Sequence, residues 1–290
     1  MSKPIAAIKK PLFVNWDTLI SLVVIHVTAI AAIFTFSWSG LIVSFVILCL
    51  VGGPGIGLGY HRMLTHRGFQ TPKWFEYALV LLGSLALESG PIQWVATHRL
   101  HHAFTDLPGD PHSPREGVWW SHLGWIIRGT AQRHDPETLK RYVPDLLKDR
   151  FYVLLSKYFY VPNIILGIVL LAVGGWSWLV WGIFLRLVIG LHSTWLVNSV
   201  THIWGYRHFD TRDDSTNNWV VGILAFGEGW HNNHHAFPTS ARHGLAWWEV
   251  DMNWLALRGL MALGLAKKVK SVDLQEELAK SENLALQKAA

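Results

Sequence analysis

The chain has little charge and almost no cysteine. Asp, Glu, Lys and Arg together make up 16% of its 290 residues, while hydrophobic residues reach 51%. A soluble fold with so few charges would struggle to cover its own surface, so the composition points to a surface that faces lipid. The single cysteine, Cys49, lies inside an apolar run. It excludes an intrachain disulfide and a cysteine-based zinc site. The opening MSKPIAAIKKP lacks a short apolar stretch with a small-residue cleavage site, which predicts no cleaved signal peptide. The His-Glu-x-x-His signature of zinc proteases is also absent. The net charge is +5, but the basic residues flank apolar runs instead of forming a stripe. That pattern suits anionic headgroups and argues against nucleic acid.

Two residue types are abundant: 17 tryptophans and 16 histidines. Tryptophan suits a membrane interface; histidine has no such bulk role.

Four apolar runs, at about 19–37, 41–60, 160–176 and 178–200, approach the ~20 residues that a bilayer-spanning helix needs. Very short connections at 38–40 and 174–177 make each pair a hairpin. Lys3, Lys9 and Lys10 precede the first hairpin, twelve Lys and Arg fall within 61–157, and nine follow the second hairpin. The tips carry none, and Arg186 alone lies inside a run. The positive-inside rule then puts both termini and the segments 61–157 and 201–271 in the cytoplasm. The expected fold is all-α, a single integral-membrane domain of four transmembrane helices in two hairpins under a cytoplasmic helical cap. The stretch from Phe75 to Ala96 is fairly apolar but contains Glu76, Glu88, Pro91 and Gln93. Crossing there would separate histidine-bearing segments, so it is expected to lie on the bilayer or pack against the cap. Residues 272–290 read as a solvated helix or frayed tail.

Three histidine clusters carry the chemistry: His61-Arg-Met-Leu-Thr-His66, His98-Arg-Leu-His101-His102 and His231-Asn-Asn-His234-His235. In the last two, positions i, i+3 and i+4 share a helix face, so each can offer two or three imidazoles to one point. In the first, the i, i+5 spacing on an α-helix makes the rings diverge by over a quarter turn, toward two different metals. A lone histidine is usually an ordinary core or surface residue. Eight of sixteen in three compact clusters, on one predicted side of a membrane, are not. One zinc needs about four ligands, so this many imidazoles implies two metals, whose identity ligand type alone leaves open among Fe, Zn, Cu and Ni. The paired Glu-x-x-His motifs of soluble di-iron bundles are missing.

These clusters resemble the three histidine boxes of the membrane fatty-acyl desaturases, specifically the Δ9 group with its HxxxxH first box. Asp110-Pro-His-Ser-Pro114, Trp195-Leu-Val-Asn-Ser199, Gly205-Tyr-Arg and Gly227-Glu-Gly-Trp-His-Asn-Asn-His-His235 extend the resemblance over roughly residues 15 to 265. It implies two iron ions, O2 as co-substrate, and insertion of a cis double bond into a saturated acyl chain. It implies a metal set of His61, His66, His98, His101, His102, His231, His234 and His235, completed by His202, with Asn198 holding a metal-bound water. Asn198 and His202 stand i, i+4 at the end of the fourth run, where both can face one site. It further implies a separate electron donor, ferredoxin or cytochrome b5, and, for a cyanobacterial chain, a plasma or thylakoid membrane. Acyl-CoA desaturases typically carry Arg-Asp directly before the second box; here Ala96-Thr97 stands there. That favours the acyl-lipid desaturases of cyanobacteria and plants, with an acyl chain esterified in a glycerolipid, over an acyl-CoA substrate. A membrane hydroxylase or alkane monooxygenase is the nearest rival, disfavoured by the first-box spacing. A metal transporter is the non-enzyme rival, disfavoured because the clusters gather at helix ends.

Asp106, Asp110 and Glu228 stand close to the boxes and are candidates to orient ligating rings. Phe45 and Cys49, above His61 on the second run, are candidates for the end of an acyl tunnel. His26 and His192 read as neutral histidines bonded to neighbouring helices, and Arg186 as held by an interhelical partner or snorkelling. His112, His122, His134, His208 and His243 read as interfacial or structural.

Overall fold

The computed structural model describes residues 13–128 and 133–280. Lys3, Lys9, Lys10 and residues 281–290 of the expected tail lie outside them. Regular structure among the described residues is helical, with a few isolated bridges.

Helix α1 (Trp16–Ile30) starts where the Asn15 side chain accepts from the Thr18 N–H, and it tightens into a 3-10 turn over Ala31–Ile33. Helix α2 (Trp38–Leu50) starts on Ser37, which accepts from the Gly40 N–H. It runs directly into a π-helix, Val51–Thr65, with Pro54 inside it. A proline within an α-helix loses one hydrogen bond and clashes with the carbonyl four residues back; the wider i, i+5 winding eases the clash, while the missing N–H stays missing. Glycines let helix α3 (Lys73–Ser84) press against this segment. A Cβ on Gly55 would fall 2.7 Å from the Gly83 nitrogen.

The stretch from Phe75 to Ala96 falls in two helices. Helix α3 packs along the π-helix, and α4 (Pro91–Phe104) turns away after the Leu85–Gly90 loop. Helices α5 (Pro136–Tyr142) and α6 (Arg150–Lys157) flank α4. Tyr60, Val80, Val95, Tyr152 and Leu257 meet in the main core between these elements.

Helix α7 (Val161–Leu179) is broken at Gly175, whose φ of +65° and ψ of −159° leave the helical region. The arms on either side return toward each other. A Cβ on Gly167 would touch Leu179 and Ile183, and one on Gly182 would meet Leu170. A short π-wound stretch, Val180–Leu185, leads into α8 (Arg186–Ser199) and the 3-10 turn Val200–His202. Arg186 does not snorkel. It is fully buried and donates to Gly182 O, Leu85 O and Asn163 Oδ1.

Among the described residues, three helical runs are long and apolar enough to cross a membrane: Trp16–Ile33, Trp38–Thr65 and Val161–His202. Their outward faces, such as Val23 and Val27 on α1 and Ile165 and Ile168 on α7, are exposed apolar surface. The chain is a membrane protein. Beyond α8 come α9 (Trp219–Leu224), α10 (His231–Ala236) and α11 (Met252–Ala262). The tail begins anchored instead of solvated, because Leu274 is buried against Phe209, Leu245 and Ala246.

Candidate metal centre

The π-helix decides the geometry of the first box. Its i, i+5 hydrogen bond, from His66 N to His61 O at 3.2 Å, stacks the two residues on one face. Their ring centroids are 4.8 Å apart. The expectation that these rings diverge toward separate metals is thus overturned, because it assumed α-helical winding.

The second and third boxes split instead. On α4, His98 and His102 share a stripe, with Nε2 atoms 3.1 Å apart, and His101 faces the other side. On α10, His231 and His235 pair with Nε2 atoms 3.0 Å apart, and His234 stands off. The i, i+4 partners stay together, and the residue between them crosses over. The outcome is two groups, His61, His66, His98, His102 and His234 in one, and His101, His202, His231 and His235 in the other. Within each, the candidate donor atoms lie within 4.8 Å of one another. His202 reaches the second group from the turn that ends α8, and all nine expected histidines are present.

Carboxylates orient the rings. Glu228 Oε2 lies 2.6 Å from His61 Nδ1, Asp110 Oδ1 2.9 Å from His101 Nδ1, and Asp106 Oδ2 2.9 Å from His202 Nδ1. Asp213 Oδ2 lies 3.2 Å from His235 Nδ1. An Nδ1–H donated outward leaves the Nε2 lone pair facing inward. These lone pairs converge: His61 Nε2 is 3.2 Å and His102 Nε2 2.9 Å from His234 Nε2. The Nε2 atoms of His66, His101 and His202 are buried with no protein hydrogen-bond partner. Burial, reinforced by repulsion from neighbouring rings, holds the imidazoles of His98, His102, His231, His234 and His235 well below the ordinary histidine range. They are neutral and able to ligate. Buried lone pairs converging without protons suit cations, and two groups suit two of them.

Glu228 and His231 do stand in a Glu-x-x-His spacing, but Glu228 turns from the centre toward His61 and Arg62. Burial would raise its carboxyl, yet Arg62, His243 and His61 hold it well below the usual range. Arg62, wholly buried, forks between Glu228 and Asp251 and also donates to Ala241 O.

Sequence reasoning missed four residues here. Asp213 has no local signal, because it lies 22 positions before its histidine. His243, read as structural, sits 4.5 Å ring to ring from His234, with Nδ1 3.1 Å from Glu228. His112 stacks on His101 at 4.3 Å. Arg62 was legible only as a charge inside a box at the end of an apolar run. Elsewhere the readings hold geometrically. His26 Nε2 meets His192 Nε2 at 3.2 Å, His122 bonds to His192 and Ser199, His134 to Thr97 and His208 to Glu249.

A largely apolar cavity abuts both groups, with His61, His98, His231 and Asn198 at its polar end and Leu48, Val51, Ile56 and Leu187 among its walls. Phe45 and Cys49 do not line it. On α2, Val43 and Ile47 face Gly182, while Phe45, half a turn away, is 63% exposed on the outer side. The helix meets the cavity lower down, at Leu48, Val51 and Gly52.

The family model described as fatty acid desaturase matches residues 36–267. The chain is 50% identical to the sn-1 stearoyl-lipid 9-desaturase of Anabaena variabilis, over 91% of this chain and 96% of that one. It is 48% identical to the sn-2 palmitoyl-lipid 9-desaturase of a Nostoc strain, covering 89% and 90%. It is 47% identical to the icosanoyl-CoA 5-desaturase of Limnanthes douglasii, covering 87% and 71%.

Proposed function

The chain belongs to the fatty acid desaturase family, and from that premise we propose that it places a cis double bond at Δ9 of a saturated acyl chain esterified in a membrane glycerolipid. The observation that carries this reading is the gathering of nine buried or half-buried histidines into two groups beside an apolar cavity. His61, His66, His98, His102 and His234 would hold one iron, and His101, His202, His231 and His235 the other, with Asn198 positioned to hold a water. Iron bound there would supply the O2 chemistry that side chains lack, hydrogen removal from an unactivated methylene. The chain's own residues do the rest. Asp106, Asp110, Asp213 and Glu228 fix the ring tautomers, and the cavity excludes water and aligns one carbon pair.

The lipid-linked substrate is supported by the two cyanobacterial relatives, whose names specify stearoyl-lipid and palmitoyl-lipid substrates. It is also supported at Ala96 and Thr97, both buried, where a partner for CoA phosphates would have to be basic and exposed. The reversal at Gly175 supports four membrane crossings in two hairpins. The positive-inside charge bias supports cytoplasmic termini and a cytoplasmic centre, with electrons from a separate ferredoxin or cytochrome b5. Expression in a host lacking the activity, with fatty acids analysed by lipid class, tests the reading. A new Δ9 monoene first in glycerolipids supports it. A first appearance in acyl-CoA replaces the substrate, and a hydroxylated chain without alkene replaces the reaction.

A further inference from the structure

Glu88 is a buried carboxylate that none of the histidine geometry uses. It stands in the loop between α3 and α4, 6% exposed. Its two oxygens accept from neutral donors, Trp94 Nε1 at 3.0 Å and Thr194 Oγ1 at 2.7 Å. The residues on either side, Leu87 and Ser89, have φ of +58° and +85°. Two non-glycine residues in left-handed backbone cost free energy, and such strain gathers at functional positions.

Three cavities meet at this side chain. The first is the apolar cavity beside His61, His98 and His231. The second is a small one of mixed lining that Glu88 shares with His98, His112 and Asn198. The third, about 330 Å³, runs out past Thr18 and Ser21 to Asp17 and Arg133. That volume is ample for several water molecules. Asp17 and Arg133 form a 3.5 Å ion pair that is largely exposed, so the third cavity opens to solvent. The titratable or charged groups that line these spaces with Glu88 are His61, His98, Arg186, Glu228 and His231 in the first, His98 and His112 in the second, and Asp17, Arg133 and Tyr160 in the third, with Tyr60 of the π-helix also close by. Arg186 is engaged by Leu85, Gly182 and Asn163.

We propose that Glu88 is the proton carrier of this centre, taking protons from water in the outer cavity and passing them to water beside Asn198. This rests on the desaturase reading, in which a saturated chain, O2, two electrons and two protons give the alkene and two waters. Both protons must reach a buried, largely apolar site. The Glu88 O–H bond breaks toward the inner water, and the carboxylate then takes a proton from the outer water, so the group is unchanged over a cycle. Burial raises its carboxyl to about 7, where both forms are populated at neutral pH.

Two experiments test this. Infrared difference spectra of the metal-free chain should show a protonated-carboxyl carbonyl band that titrates near neutrality, shifts in D2O, and is missing in Glu88→Gln. In the iron-loaded enzyme, Glu88→Gln keeps one carbonyl oxygen to accept from Trp94 Nε1, and its NH2 can donate to the Thr194 hydroxyl, but it cannot carry a proton. It should slow turnover about 100-fold and enlarge the solvent isotope effect, with double-bond position unchanged. Thr18→Phe, which narrows the outer cavity, should slow turnover with the same selectivity. A wild-type rate and isotope effect in Glu88→Gln, a shifted double bond at wild-type rate, or no titrating band in the metal-free chain would each overturn the proposal. If the wild type makes no alkene, the desaturase reading fails instead, and the infrared titration still decides whether Glu88 takes up a proton.

Discussion

Replacing Arg62 by methionine removes the one cation between two buried carboxylates. The guanidinium makes five hydrogen bonds: two to Glu228 Oε1 at 3.1 and 2.8 Å, two to Asp251 at 2.9 Å, and one to Ala241 O at 2.8 Å. Methionine keeps much of the volume and none of the bonds. Removing one partner of a buried ion pair costs about 3–5 kcal/mol, because the remaining charge is left uncompensated. For a chain of this size that corresponds to a fall of about 10 °C in apparent Tm, readable by tryptophan fluorescence in detergent. Lysine cannot reproduce the fork, so Arg62→Lys should recover only part of the loss. Arg62→Met combined with Asp251→Asn should be less damaged than the two single changes predict, because one of the two charges left uncompensated is removed. An Arg62→Met protein melting with the wild type, or strict additivity in the pair, would refute the reasoning.

Asp106→Asn turns an acceptor for His202 Nδ1–H into a group able to present the wrong partner; metal affinity should fall about 10–100-fold, measured by competition with a chelator. Gly190→Phe fills the apolar cavity opposite Leu48, where a Cβ has 3.6 Å of clearance but a ring has no room. It should shift products to shorter chains, whereas Phe45→Ala, on the outer face, should leave chain length unchanged in fatty-acid profiles. Burial alone would raise the Asp145 carboxyl, but hydrogen bonds from Arg99 and Arg67 take it from its ordinary 3.8 to about 2. A depressed folded value stabilises above the unfolded pKa and loses that effect as pH falls through the folded one. The Tm advantage of wild type over Asp145→Asn should therefore be full at neutral pH, shrink below about 4 and vanish below about 2, as a pH series of melts would record.

The histidine boxes and apolar runs were legible because their signals are local: spacing along one helix, or twenty apolar residues in a row. What escaped depends on winding and on distant chain. The first box reads as divergent under α-helical geometry, and only the π-helix around Pro54 brings His61 and His66 onto one face. Asp213, His243 and Arg62 join the centre through tertiary packing, which leaves no periodicity to detect. Phe45 was misplaced for a similar reason. Its height above His61 follows from the sequence, but which side of α2 packs inward depends on the contact of Val43 and Ile47 with Gly182, in the π-wound stretch before α8.

The second apolar run has a thermodynamic consequence for the substrate. As an α-helix its 28 residues would reach about 42 Å, against a hydrocarbon thickness of about 30 Å. The π winding takes up Val51–Thr65, more than half of the run, and shortens it, so in the proposed topology the run brings His61 and His66 to the cytoplasmic edge of the bilayer. In that topology an acyl chain reaching the histidines is drawn to the bilayer's edge, and each methylene exposed to water there would cost about 0.8 kcal/mol. The walls formed by Leu48, Val51, Ile56 and Leu187 cancel most of that cost. The cavity acts as an extension of the membrane's oil phase, with solvent properties set by side chains.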